Sequence, residues 1–214
     1  MEIIEGVAWT GCLSVVVSEP AAGKTFVLLD MGACLADGVP WHGRRVTPGS
    51  VAYLSFEANA LSLRLDALRE QGGRTIQSLH LLDSRDPLSP RLARDGTETP
   101  SRGEAVAARQ LARLATRLQS AGEPPIVCLM LDTVAASMVG SENTTEVVSA
   151  YFRAVRRLAA PYPQAAVLLA HHAGWQDGDD PKRRERGSSA FRGTVDGSFY
   201  LDVTAENKEL GTRT

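Results

Sequence analysis

The sequence predicts an α/β fold with a mostly parallel central sheet flanked by helices on both faces, and three observations predict it. Short apolar, β-branched runs alternate along the chain with segments of helical periodicity, the pattern of repeated strand–helix units. The run Leu13–Val17 halts at a tight turn, Ser18-Glu-Pro-Ala-Ala-Gly-Lys24-Thr25, from which a helix starts. Ile126–Leu131 is unbroken apolar sequence closed by Asp132, as expected of a central strand covered on both faces.

Composition narrows the class further. At 214 residues the chain can bury one good core, and a single domain over 1–214 is the simplest division. Hydrophobic content of 43% and charged content of 22% belong to a soluble globular protein and exclude a disordered one. The net charge of −2 provides no overall attraction to nucleic acid, so contact with a phosphate chain requires a local basic patch. Cys12, Cys34 and Cys128 are widely spaced within apolar runs. They read as small buried residues of a reducing compartment, without metal-ligand or disulfide spacing. Met-Glu-Ile-Ile-Glu at the start lacks the basic and long apolar regions of a signal peptide, and no apolar run is long enough to cross a bilayer. A cytoplasmic location without a membrane partner is expected.

Residues 1–12 lead into the first strand, with Trp9 as a packing aromatic. Residues 18–25 then carry the chemistry of a phosphate-binding loop. In such a strand–loop–helix unit, backbone N–H groups converge on phosphate oxygens, Lys24 adds a positive charge, and the Thr25 hydroxyl can ligate Mg²⁺. Glu19, Pro20, Ala21, Ala22, Gly23, Lys24, Thr25 and Phe26 are therefore the candidate nucleotide-binding residues. The loop departs from the pattern G-x-x-x-x-G-K-[ST] at Ser18, and Ala22 stands where glycine is frequent. Serine fits the turn if its φ stays negative.

The helix at 24–36 is apolar nearly all round (Phe26, Val27, Leu28, Leu29, Ala33, Leu35), which suits a helix packed under a sheet. Gly38 and Pro40 end it, and Trp41-His42 follow in a turn-rich loop where His42 reads as a surface or packing residue. Val51–Phe56 is a second buried strand, with Glu57 directly behind it on the edge where open α/β sheets bind ligands. Glu57 is either a catalytic carboxylate or an acid favoured by the dipole of the next helix. That helix, 60–71, has Leu61, Leu65 and Leu68 on one stripe and stops at Gly72-Gly73.

Ser78–Leu82 is a shorter third strand, and His80 within its alternation reads as structural. Residues 83–103 hold three prolines and many charges without a period, and are expected to form a surface loop or insertion. A helix over 104–121 turns Leu111, Leu114 and Leu118 inward and sets Arg109, Arg113 and Arg117 on a solvated face. Asp132, at the end of the next strand, is placed to hold the water shell of Mg²⁺ opposite Thr25. Helix 144–160 is capped by Glu142-Asn143-Thr144. Ala165–Ala170 is a further strand whose trailing His171-His172 share the edge of Glu57 and Asp132. A mobile loop with a basic second half reaches Arg186, a turn or short helix covers 187–193, and a last strand spans 197–203.

Ser18–Thr25, Val51–Glu57, Ile126–Asp132, Val167–His172 and Arg186-Gly-Ser-Ser-Ala-Phe-Arg192 together resemble the RecA-like P-loop ATPases. They are most similar to the RepA-type hexameric replicative helicases and their plasmid and phage relatives. Leu131-Asp-Thr-Val-Ala-Ala-Ser137, His171-His-Ala-Gly174 and Arg186-Gly-Ser-Ser189 are the family-specific stretches, and the resemblance runs from about residue 8 to 203. It implies ATP and Mg²⁺ as cofactors, a homo-oligomer expected to be a hexameric ring, single-stranded DNA as partner, and a replication-initiation partner. By position, it implies that Lys24 contacts the β- and γ-phosphates, Thr25 and Asp132 hold Mg²⁺, and Glu57 polarises the attacking water. It further implies that His172 senses the γ-phosphate, that 173–186 is a pore loop touching DNA through Lys182, Arg183 and Arg184, and that Arg186 is supplied to a neighbour's ATP. Trp175, Asp177, Asp179 and Asp180 make that loop partly acidic. Relatives usually add strands after the last one here. The alternative on the same fold is an ATP-gated regulatory or recombination-mediator protein without helicase activity.

Overall fold

The apolar runs condense into one parallel sheet in the computed structural model of the chain, which describes residues 1–57, 61–93, 95–172, 189–202, 206–207 and 212–213. A short antiparallel pair, β1 (Glu2–Ile4) and β2 (Ala8–Trp9), precedes β3 (Leu13–Ser18) and α1 (Lys24–Asp37). β4 (Ser50–Ser55), α2 (Leu61–Gly72) and β5 (Leu79–Asp83) follow, then a small hairpin of β6 (Arg91–Leu92) and β7 (Glu98–Thr99). The chain continues through α3 (Arg102–Ala121), β8 (Ile126–Asp132), α4 (Val134–Ser137), α5 (Thr145–Ala159) and β9 (Ala166–His172). α6 (Ser189–Thr194) and β10 (Gly197–Tyr200) complete the main body, and β11 (Glu206–Asn207) pairs with β12 (Thr212–Arg213).

Among the described residues the central sheet has six strands in the order β10-β3-β9-β8-β4-β5, every neighbouring pair parallel. Parallel pairing puts every carboxyl end on one edge. In the ladder Ser18 lies opposite His172, and Ser55 lies opposite both Asp132 and Asp83. β3 and β8 are not neighbours, because β9 runs between them.

Strand side chains alternate between faces, so a strand covered on both sides must be apolar at every position. On one face, Leu28, Leu29 and Leu35 of α1 pack on Val16, Val51, Tyr53, Met130 and Leu168. On the other, Leu111 and Leu118 of α3 and Tyr151, Phe152 and Val155 of α5 cover Val15, Val17, Leu54, Leu129 and Leu169. α3 begins at Arg102, where the Ser101 side chain accepts from the Glu104 N–H. α5 has Thr144 at its N-cap position, but no side-chain capping bond forms there.

Several expectations need correction. Residues 1–12 supply Ile3, Ile4, Val7 and Ala8 to the core, the two isoleucines fully buried. Segment 83–103 is no simple surface loop, since Leu88 is 0% exposed and joins the core cluster. Its amide donates to the Ser137 carbonyl at 2.7 Å, and Glu98 is held by Arg153 and by Arg157, the latter at 3.0 Å. Gly103 lets α3 start against this segment, for an added Cβ would run into the carbonyls of Asp86 and Pro87. A buried leucine replaced by alanine loses transfer energy and leaves a cavity. Leu88→Ala should therefore lower unfolding stability by about 3 kcal/mol, against about 0.5 kcal/mol for a true surface position, as read by denaturant titration.

Phe26 is exposed although its helix is otherwise largely enclosed, and Cys12 is only half-buried, unlike Cys34 and Cys128. The last sheet strand stops at Tyr200 rather than 203. His80 accepts from Arg117 at 3.0 Å through Nδ1, while its buried Nε2 has no hydrogen-bond partner among the described residues. Arg117 thus closes over β5 instead of standing wholly in solvent. Among the described residues, no helix is long and apolar enough to cross a membrane.

Candidate active site

The turn between β3 and α1 is built from residues 19–23, and its conformation explains how the departures from the glycine pattern are tolerated. Gly23 occupies the N-cap of α1 with φ +92°, a region that favours glycine. Ser18 and Ala22 are not among the non-glycine residues of positive φ, so neither position demands glycine. Ala21 is, at φ +62°, at a cost of about 1 kcal/mol for an L-residue. Ser18 also contributes chemistry. Its hydroxyl donates to the Glu19 carbonyl at 2.9 Å and accepts from Lys24 Nζ at 2.9 Å.

Lys24 is 5% exposed and its ammonium is held by the loop. Besides the Ser18 hydroxyl, Nζ donates to the Ser18 carbonyl at 3.2 Å and the Glu19 carbonyl at 3.1 Å, and lies 3.1 Å from His172 Nδ1. Burial pushes the Lys24 ammonium below its ordinary range, and the Asp132 and Glu57 carboxylates pull it back up. With the ammonium donating, His172 Nδ1 must accept, which leaves the ring proton on Nε2.

Period-2 alternation decides where the strand-end residues point. Asp132 follows the parity of Cys128 and Met130, towards the α1 face, and there meets the first turn of α1. Thr25 Oγ1 donates to Asp132 Oδ2 at 2.8 Å, and the Tyr53 phenol donates to the same oxygen at 2.7 Å. Oδ1 is buried and has no hydrogen-bond partner among the described residues. An orphaned carboxylate oxygen beside a hydroxyl is a hard, oxygen-only donor set. It fits Mg²⁺, which takes one or two carboxylates and keeps several waters and phosphate oxygens. Among the described residues, no group of three His, Cys, Asp or Glu side chains could hold a metal by itself. Burial and the Asp132 carboxylate both push the Tyr53 phenol well above its ordinary value.

Glu57 stands one strand over. Its Oε1 accepts from Thr133 Oγ1 at 2.9 Å, and its backbone carbonyl accepts from the Ser55 hydroxyl at 2.9 Å. Thr133 is doubly used, because its hydroxyl oxygen also accepts the Ala136 N–H as N-cap of α4. The peptide between Asp132 and Thr133 is cis.

The two histidines that close β9 part company. His172 reaches Lys24, while His171, of opposite parity, is fully buried and stacks on Phe191 with ring centroids 4.4 Å apart. The structure thus brings Lys24, Thr25, Asp132, Glu57 and His172 together at one sheet edge. Glu19 and Pro20 are exposed on the loop, and Phe26 lies at its rim under the Arg64 guanidinium, 5.1 Å from the ring centroid. Lys182, Arg183, Arg184 and Arg186 lie outside the described residues.

Sequence inspection missed Tyr53, Thr133 and the part played by Ser18. A signal existed for Tyr53: a phenol inside an otherwise aliphatic buried strand requires a hydrogen-bond partner. A cavity of about 520 Å³, lined by Leu118, Pro125, Ile126 and Tyr162 among others, opens at the opposite, amino edge of the sheet, away from these groups.

A glycine-ended turn that delivers a buried lysine to the start of a helix has one recurrent use, the holding of polyphosphate. On a six-stranded parallel sheet with helices on both faces, that makes the chain a P-loop ATPase of RecA-like fold. A family profile described as "AAA domain" matches residues 2–178, and the chain belongs to that family. No curated protein matches the chain.

Proposed function

We propose that this ATPase is the subunit of a ring, hexameric as in the RepA-type helicases, that couples Mg²⁺-dependent ATP hydrolysis to movement along single-stranded DNA. The observation that carries the reading is the meeting of Lys24, the Thr25–Asp132 pair and Glu57 at one edge. Lys24 exchanges its loop carbonyls for β- and γ-phosphate oxygens, while backbone N–H groups of the loop and the start of α1, Pro20 having none to offer, take the remaining phosphate charge. Thr25 and Asp132 would hold the Mg²⁺, which, when bound, would neutralise charge on the phosphate oxygens. Glu57, steadied by Thr133, takes the proton of the attacking water. The Nε2–H of His172 senses the γ-phosphate, and its link to Lys24 passes the change to the segment that follows β9. Arg186 acts on the ATP of the neighbouring subunit, stabilising charge on the transferred phosphoryl group. Lys182, Arg183 and Arg184 contact the DNA backbone.

The acidic half of the 173–186 segment, with Asp177, Asp179 and Asp180, favours a second reading, an ATP-gated regulatory or mediator protein that meets a protein surface there. One experiment separates the two: ATPase rate with and without single-stranded DNA across a salt series, alongside native mass. The motor is expected to assemble as a closed ring and to be stimulated by DNA. Three phosphate contacts predict an affinity that falls with salt at a log–log slope of roughly −2. A rate indifferent to DNA would leave the regulatory reading, and an open filament would favour the mediator.

A further inference from the structure

Tyr53 sits in the middle of β4, fully buried in an aliphatic run. Its phenol reaches across to the neighbouring strand β8 and donates to Asp132 Oδ2, the oxygen that also takes the Thr25 hydroxyl. Two hydroxyls on one oxygen leave Oδ1 without a partner among the described residues. The two donors differ in what they are fixed to. Thr25 stands on the first turn of α1 beside the loop, and its oxygen is itself a candidate cation ligand. Tyr53 is fixed in the sheet, with its ring in the core between α1 and the strands. A carboxylate is free to turn about its last bond, a broad two-fold torsion. Of the two donors among the described residues, it is the phenol that ties that torsion to the rigid sheet.

We propose that Tyr53 is a positioning residue of the cation site, holding Asp132 by Oδ2 so that Oδ1 is offered to the Mg²⁺ that accompanies the nucleotide. The inference rests on the reading of Asp132 as the Mg²⁺ carboxylate. Outer groups that orient a metal ligand usually matter by about 10- to 100-fold in metal affinity, because they fix a geometry that the ion otherwise has to organise.

Tyr53→Phe removes the hydroxyl and keeps the ring. Binding of a fluorescent ATP analogue, titrated with Mg²⁺, should show a half-saturating Mg²⁺ concentration raised about tenfold. Binding of the same analogue in EDTA, and the melting temperature in EDTA, should stay near those of the unaltered protein. A lowered melting temperature with an unmoved Mg²⁺ midpoint would assign the phenol a structural role and overturn the proposal. Asp132→Asn is titrated in parallel. If Asp132→Asn leaves the Mg²⁺ dependence intact, the reading of Asp132 fails. If Asp132→Asn destroys the dependence while Tyr53→Phe leaves it unchanged, only the inference about Tyr53 fails. Should Tyr53→Phe not fold, Tyr53→Met repeats the measurement with a flexible side chain that adapts to the same slot. Failure of both to fold would also overturn the proposal, since the hydroxyl would then be needed by the core.

Discussion

Replacing Lys24 with alanine is expected to abolish measurable ATP binding at concentrations that saturate the unaltered protein. Residual turnover should fall by about a hundred- to a thousandfold, the scale on which one preorganised charge stabilises a developing oxyanion. The size of the effect follows from placement. The ammonium is almost wholly withdrawn from water, so its field is little screened, and it lies close enough to Asp132 and Glu57 to feel both carboxylates. Alanine leaves those two carboxylates facing an incoming polyphosphate without the lysine charge between them. The fold should survive, because two effects offset one another. The substitution strands the Ser18 and Glu19 carbonyls, at about 1–3 kcal/mol, but also relieves the burial of a charge. Calorimetric titration with ATP and Mg²⁺, paired with a thermal melt, checks both halves. A folded Lys24→Ala protein that still binds ATP tightly would remove the phosphate loop from the account.

Glu57→Gln should do the opposite to the two steps, sparing binding and stopping hydrolysis. Glutamine keeps the length of the side chain, and its amide oxygen can still accept the Thr133 hydroxyl that now meets Oε1. What it cannot do is accept a proton from water. Loss of a general base costs about a hundred- to ten-thousandfold in rate, so single-turnover hydrolysis should become slow enough for bound ATP to be isolated with the protein. The dissociation constant for ATP should match that of the unaltered chain. Undiminished hydrolysis in Glu57→Gln would return Glu57 to the other role open to it, an acid placed where the dipole of α2 favours one.

The sequence carried the phosphate loop, the buried strands and the polar residue at each strand end, because these are marked by local composition and by periods of 2 and 3.6 residues. It also showed which residue types stood ready for chemistry. It did not show that Ser18, a departure from pattern, would cradle Lys24, since that contact depends on the path of the loop. Nor did it mark Leu88, just ahead of the exposed hairpin, as core. A stretch with prolines, charges and no period gives no local sign that one leucine will be covered by distant side chains. His171 and His172 looked equivalent in the sequence, and only the faces of the folded sheet sent one to Phe191 and the other to Lys24.

By itself, then, the sequence determined the repertoire: a lysine and a hydroxyl after a turn, an aspartate after a buried strand, a glutamate after another. Strand pairing decided their company. Thr25, Tyr53 and Asp132 are far apart along the chain, and the order that runs β9 between β3 and β8 is set by long-range packing that no local period encodes. The physical reason is the same throughout: a side chain's type and phase are local properties, whereas its neighbours are fixed only when the sheet closes around them.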